Sequence, residues 1–163
     1  MKKIYLLIIP IIFLIGCSIA NTPTSIVEDY LSKHQMLDKT IDTNYTLITS
    51  DTNLSQNIKD RYKNAIKKQY RDLSYEVKDE EIDGNNATVT VQVKVKDYKT
   101  AFDQYNKSDY SLEDYHEQVL NTIEETKEKT TYTIEFTLTK DNQDNWQLDT
   151  IIDETKNKLL GIY

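Results

Sequence analysis

Apolar residues recur along the chain at two spacings, and the switches between them mark out the elements. Thr22-Pro23 reads as an N-cap followed by proline at the first helical position. Ile26, Val27, Tyr30, Leu31 and His34 then share one face, which predicts a helix over 23–36. The stretch 38–53 mixes Thr, Asp and Asn with Ile41, Leu47 and Ile48 and reads as a loop or a short helix. Ser55 can cap the next segment, where Ile58, Tyr62, Ala65, Ile66, Gln69, Tyr70 and Leu73 form an apolar stripe at a 3.6-residue period. This is a strongly amphipathic helix over about 56–72.

The period then drops to two. Leu73, Tyr75 and Val77 alternate with polar residues, Asp83-Gly84-Asn85-Asn86 is a turn signal, and Ala87, Val89, Val91, Val93 and Val95 alternate with Thr, Gln and Lys. Tyr98, Ala101, Phe102 and Tyr105 restart a helical period that 106–109 interrupts. Ser111-Leu-Glu-Asp114 resembles a capping box, and Leu112, Tyr115, His116, Val119, Leu120 and Ile123 mark one face, so 98–127 is one broken helix or two helices. Tyr132, Ile134, Phe136 and Leu138 alternate again, 141–145 is a turn, and Trp146, Leu148 and Thr150 continue the alternation. The tail 153–163 is charged first and apolar last. Each hairpin has one polar face and needs helices on the other. The expected class is α+β: a curved antiparallel sheet of two hairpins with three or four helices on its concave side.

The beginning of the chain follows another logic. Lys2 and Lys3 precede an apolar run from Ile4 to Ile15, the layout of a secretory signal peptide. About 12 residues is short of the ~20 that a spanning helix needs. The run ends in Leu14-Ile15-Gly16-Cys17, which resembles the lipobox of bacterial lipoproteins and contains the only cysteine. The resemblance implies that 1–16 is removed and that Cys17 becomes the mature N-terminus, linked through its sulfur to diacylglycerol. Residues 17–22 would then be anchor and tether, and 23–163 one folded domain at the extracytoplasmic face of the cell membrane.

Further residues resemble a family of folds. Ile82-Asp-Gly-Asn-Asn-Ala87-Thr-Val89 and Trp146-Gln-Leu148 are similar to nuclear-transport-factor-2-like (cystatin-like) domains, which occur in many small bacterial lipoproteins, including the lumazine-binding-like group. Thr22-Pro-Thr-Ser-Ile-Val27 and Leu160-Gly-Ile-Tyr163 resemble one set of uncharacterised Firmicutes lipoproteins. The resemblance spans most of 22–163 and carries no catalytic motif. It implies an α+β fold with a cone-shaped pocket between helices and sheet, although the long second helix and the 98–127 insertion depart from the simple form.

Composition limits the chemistry. With one cysteine, two histidines and three glycines, neither a multi-thiolate zinc site, nor a disulfide framework, nor a Gly-rich phosphate loop can be written. His34 and His116 each lie beside an apolar helical stripe without ligand spacing; an acid–base pair would require the fold to bring them together with a carboxylate. Asp141-Asn-Gln-Asp-Asn145 is the best oxygen-rich loop but lacks the glutamate that closes an EF-hand. Asp79-Glu80-Glu81-Asp83 reads as a solvated strand end. Charge is distributed unevenly. The chain carries −7 overall, yet 56–72 holds Lys59, Arg61, Lys63, Lys67, Lys68 and Arg71 against Asp60 and Asp72. Such a face can meet phospholipid headgroups, an anionic envelope polymer or an acidic protein partner. Secretion and the acidic whole argue against nucleic acid. The sequence therefore reads as a membrane-anchored, non-enzymatic binding module without a cofactor, with two alternatives: a hydrolase or isomerase using histidine or carboxylate in the pocket, or an envelope-interaction protein using the basic helix.

Overall fold

The structure is a computed structural model that describes residues 21–37 and 53–163. The expected segment 38–53 lies outside it but for its last residue, and so do the leader and Cys17. Two helices come first: α1 (Pro23–Met36) and α2 (Gln56–Asp72). Thr22 accepts from the Ser25 backbone N–H while Ser25 Oγ accepts from the Thr22 N–H, so the first turn is capped reciprocally. Ser55 caps α2 through the Ile58 N–H.

Strands β1 (Ser74–Asp83) and β2 (Asn86–Lys96) form a hairpin around Gly84-Asn85. Gly84 takes φ 59°, which suits the first place of a type II′ connection. Two helices follow, α3 (Lys99–Asp103) and α4 (Leu112–Glu125), with a short 3-10 turn at Lys107–Asp109 between them. The chain then enters β3 (Lys129–Lys140) and the three-residue β4 (Trp146–Leu148). The sheet is antiparallel throughout, in the order β1-β2-β3-β4. The α+β class read from the pattern is the class observed, with 98–127 resolved as two helices.

The tail differs from the reading. Asp153–Leu160 forms a fifth helix, α5, closed by Gly161 at φ 72°. Asp153 and Glu154 in its first turn and Lys158 in its last complement the helix dipole, and Lys158 pairs with Glu154 one turn back. β4 is short, so the lower part of β3 has no strand beside it. There α5 packs alongside, and Lys158 Nζ donates to Thr133 O. This covers an edge that would otherwise be open to strand pairing.

Two hydrophobic clusters hold the molecule together. In the first, Val27, Leu31, Ile66 and Tyr70 of the helices meet Val89, Val91, Val93, Ile134 and Phe136 of the sheet. These side chains occupy the layer between the helices and the sheet. In the second, Ile58 and Tyr62 of α2 pack with Tyr98, Ala101, Val119, Leu120 and Ile123. α2 is therefore buried on two sides. Its C-terminal half rests on the sheet and its N-terminal half carries the 98–127 insertion. The opposite sheet face, with Thr131, Thr133, Glu135, Thr137 and Thr139, is exposed.

Candidate functional site: the basic helix and the two ends of the sheet

Burying the Ile58–Tyr62–Ile66–Tyr70 side of α2 forces its cations outward. Lys63, Lys68 and Arg71 are exposed, and Lys59, Arg61 and Lys67 are half-buried. Arg61 is committed within the fold. Its Nε and Nη2 donate to the two oxygens of Glu124, both at 2.9 Å, and Nη2 also donates to Asn121 at 2.8 Å. This bidentate pair clamps α2 to α4, and it raises the Arg61 pKa. Arg61 is thus a structural cation rather than part of an outward face.

The cations of α2 that lie toward its C-terminus meet others from the sheet. Lys96, the last residue of β2, is 9% exposed, and its ammonium stands 3.6 Å from Asp72. Burial, followed by the positive charge of Lys68 beside it, holds the Lys96 pKa below the ordinary lysine value. Lys129, the first residue of β3, donates to the Asp72 backbone oxygen at 3.3 Å. Lys68 and Lys96 border a surface concavity of about 510 Å³, whose other side is formed by Glu124, Glu125, Thr126, Lys127 and Glu128. The sequence pointed to α2 but missed Lys96, because a lysine at the end of an alternating strand reads as a solvated residue.

A buried amide fixes this corner. Gln69 Nε2 donates to Lys96 O and to Leu160 O, each at 2.8 Å, and Gln69 Oε1 accepts from the Lys96 N–H at 3.0 Å. Gly161 passes so close that a Cβ there would lie 2.0 Å from Lys96 O and 2.5 Å from Gln69 Nε2. A glutamine on an apolar stripe was the available signal: such a residue is buried only where its hydrogen bonds are satisfied.

The histidines are apart. His34 is buried in the first cluster, where Nδ1 donates to Tyr30 O at 2.9 Å and the ring stands edge-on to Tyr30 and Tyr70. Its Nε2 has no hydrogen-bond partner among the described residues, and burial lowers its pKa. His116 lies by the second cluster and shares a 2.8 Å hydrogen bond with the Tyr62 hydroxyl through Nδ1. Among the described residues, no group of three or more histidine, cysteine or carboxylate side chains could hold a metal ion. At the 141–145 turn, Asp141 Oδ1 accepts from the backbone N–H groups of Gln143 and Asn145, which lowers its pKa.

The other end of the sheet holds the start of the domain. Asn21 Nδ2 donates to Asn145 Oδ1 at 2.8 Å, and Asn21 Oδ1 accepts from the Trp146 N–H at 3.1 Å. Glu80 accepts from both the backbone N–H and the hydroxyl of Thr24, at 2.9 and 2.6 Å, and so caps α1 from β1. Lys140 N–H donates to Asn85 O, which joins the two hairpin turns. The N-terminus of α1 and both turns thus gather at one end of the sheet, and the Lys68–Lys96 corner lies at the other.

No family model and no curated protein matches the chain. Among solved structures it is similar to one described as "a putative lipoprotein (ycdA) from Bacillus subtilis subsp. subtilis str. 168", at 20% identity and a TM-score of 0.43. The match covers 86% of this chain and 46% of that one, so this chain spans about half the length of that protein. Among the described residues, no helix is long and apolar enough to cross a membrane.

Proposed function

We propose that the chain is a bacterial lipoprotein whose leader ends at Gly16. Cys17 carries a diacylglyceryl group, and the domain serves at the extracytoplasmic face of the cell membrane as a non-catalytic ligand- or partner-binding module. The apolar run that ends in Leu14-Ile15-Gly16-Cys17 carries this reading, and the first described residue bears on the length of the tether. Asn21, four residues beyond Cys17, is already tied by two side-chain hydrogen bonds to the β3–β4 connection. Four residues reach at most ~14 Å, so the acyl chains would hold the domain directly over the bilayer. Two such chains suffice for stable attachment. The order of two helices, a hairpin, two helices and a second hairpin, with a further helix at the tail, also supports the nuclear-transport-factor-2-like reading of the fold.

The non-catalytic part is supported by the fate of the titratable groups. His34 turns its uncommitted nitrogen into the core, and His116 is engaged by Tyr62. Metabolic labelling tests the proposal. In cells fed an alkyne-tagged fatty acid, the wild-type protein should be labelled and found in the membrane fraction, and Cys17→Ser should stay dark. Equal labelling of the two, or a soluble, unlabelled wild-type protein, would contradict it.

A further inference from the structure

Lys96 is positioned by its backbone. Gln69 hydrogen-bonds to both its N–H and its carbonyl oxygen. The Asp97 N–H donates to Glu128 O at 3.0 Å, which ties the connection between α4 and β3 to the end of β2. The alternation of the strand sends the Lys96 side chain to the sheet face opposite Val95. There only 11% of that side chain is exposed, and it borders the concavity of about 510 Å³.

The groups around its amine are of both signs. Lys68 and Asp72 come from α2, and Asp72 is the counter-ion at 3.6 Å. Lys129 stands opposite Lys96 in β3 and donates to Asp72 O. Glu124, Glu125, Lys127 and Glu128 line the rest of the concavity, with Glu124 held by Arg61. Burial and the charge of Lys68 outweigh the attraction of Asp72, so the Lys96 pKa lies below the ordinary lysine value. Its neutral, nucleophilic form is therefore reached at lower pH than that of a lysine in water. A lysine withdrawn from water beside a second cation is the arrangement that activates an amine toward carbonyl carbon.

We infer that Lys96 is a nucleophilic lysine that captures a small, hydroxylated aldehyde in the concavity as an imine. The ammonium first gives its proton to water. The nitrogen lone pair then attacks the carbonyl carbon, and the carbonyl oxygen takes up a proton to give a carbinolamine. Loss of water forms the C=N bond, so one aldehyde and one amine yield one imine and one water, without oxidant or reductant. Glu125 and Glu128 on the opposite wall are acceptors for hydroxyl groups of the captured molecule, and their charge disfavours an anionic aldehyde. The capture is a covalent attachment and not a turnover. It goes beyond the anchoring at Cys17 and does not rest on it.

The test uses the purified full-length protein near pH 7.5. Glyceraldehyde is added with cyanoborohydride, which reduces each imine to a stable secondary amine, and the labelled lysines are quantified by peptide mass spectrometry. Lys96 should be labelled at least about threefold faster than the exposed Lys94 and Lys107, because its larger neutral fraction outweighs its lower basicity. Two substitutions at exposed positions separate activation from mere access. Lys68→Gln removes the neighbouring cation and should slow the labelling of Lys96. Asp72→Asn removes the counter-ion and should speed it. Neither should change Lys94, and the unfolding midpoints of both variants are compared with the wild type. Labelling of Lys96 no faster than that of Lys94 and Lys107 would overturn the inference. So would a rate at Lys96 that responds to neither substitution, or to both in the same direction. The same digest reads Cys17: an unmodified sulfur together with a fast Lys96 would defeat the anchoring proposal and support this one.

Discussion

Gly161 and Gly84 both sit at positive φ, yet they should respond differently to the same change. At Gly84 an added Cβ meets nothing within 4 Å, so Gly84→Ala should cost only the left-handed backbone penalty of about 1–2 kcal/mol. At Gly161 the Cβ would strike Lys96 O and Gln69 Nε2. Gly161→Ala should therefore cost clearly more, about 3 kcal/mol or above, since it also disturbs buried hydrogen bonds. Urea unfolding of the two variants checks the difference, and equal losses would mean that the Gln69–Lys96–Leu160 contacts are not what holds the tail. His34 gives a second prediction. Its folded pKa lies below the unfolded value of 6.5 because burial disfavours the charged ring. The unfolded chain thus takes up the proton first, and stability is full above pH 6.5 and declines as pH falls from there toward the folded pKa. Asp141, also lowered, acts in the same direction at more acidic pH. Unfolding midpoints at pH 7.5 and 5.5 should separate in the wild type and draw together in His34→Leu, whatever that change does to absolute stability. An equal pH response would show that His34 is not the group responsible.

At the scale of elements, the contact between α2 and α4 is the one most open to test. Arg61→Glu sets two carboxylates against each other, whereas the exchanged pair Arg61→Glu/Glu124→Arg should recover part of the loss. Because Glu124 is about half exposed, a double-mutant cycle should give a coupling of only about 1 kcal/mol. Zero coupling would make the clamp ornamental. The elements also show which parts of the fold were legible beforehand. The boundaries 23–36 and 56–72 could be read because caps and apolar stripes agreed. The valine alternation of 87–95 located β2 and its inward face. The tail helix was missed because it has only eight residues, although Asp153, Glu154, Lys158 and Gly161 are all helix signals. The alternation of Trp146, Leu148 and Thr150 predicts a longer strand than the three residues observed, because the chain uses 149–152 as the connection to α5. The double burial of α2 could not be read at all, since an apolar stripe does not state how many neighbours share it. The same limit hid Lys96: tertiary contacts with Asp72 and Lys68, and not its place in the strand, make it unusual.

For the whole molecule, the sheet separates two ends. Asn21, Glu80, Asp141 and the two hairpin turns lie at one, and Lys96 and Lys129 lie at the other with Asp72. This separation is a property of topology. It arises because α1 starts beside the turns and α2 ends where β1 begins. Under the anchoring proposed above, a flexible insertion before Asn21 should leave stability unchanged while raising the height of the domain over the bilayer. Neutron reflectometry of the reconstituted protein would detect that rise, and an unchanged height would show that something other than the tether sets it. The account as a whole depends on the covalent state of one sulfur. Mass spectrometry of the native, membrane-extracted protein reads it most directly. The account predicts a chain that begins at residue 17, with a diacylglyceryl thioether on Cys17. A chain that retains Met1–Gly16, or one whose Cys17 is a free thiol, would contradict it.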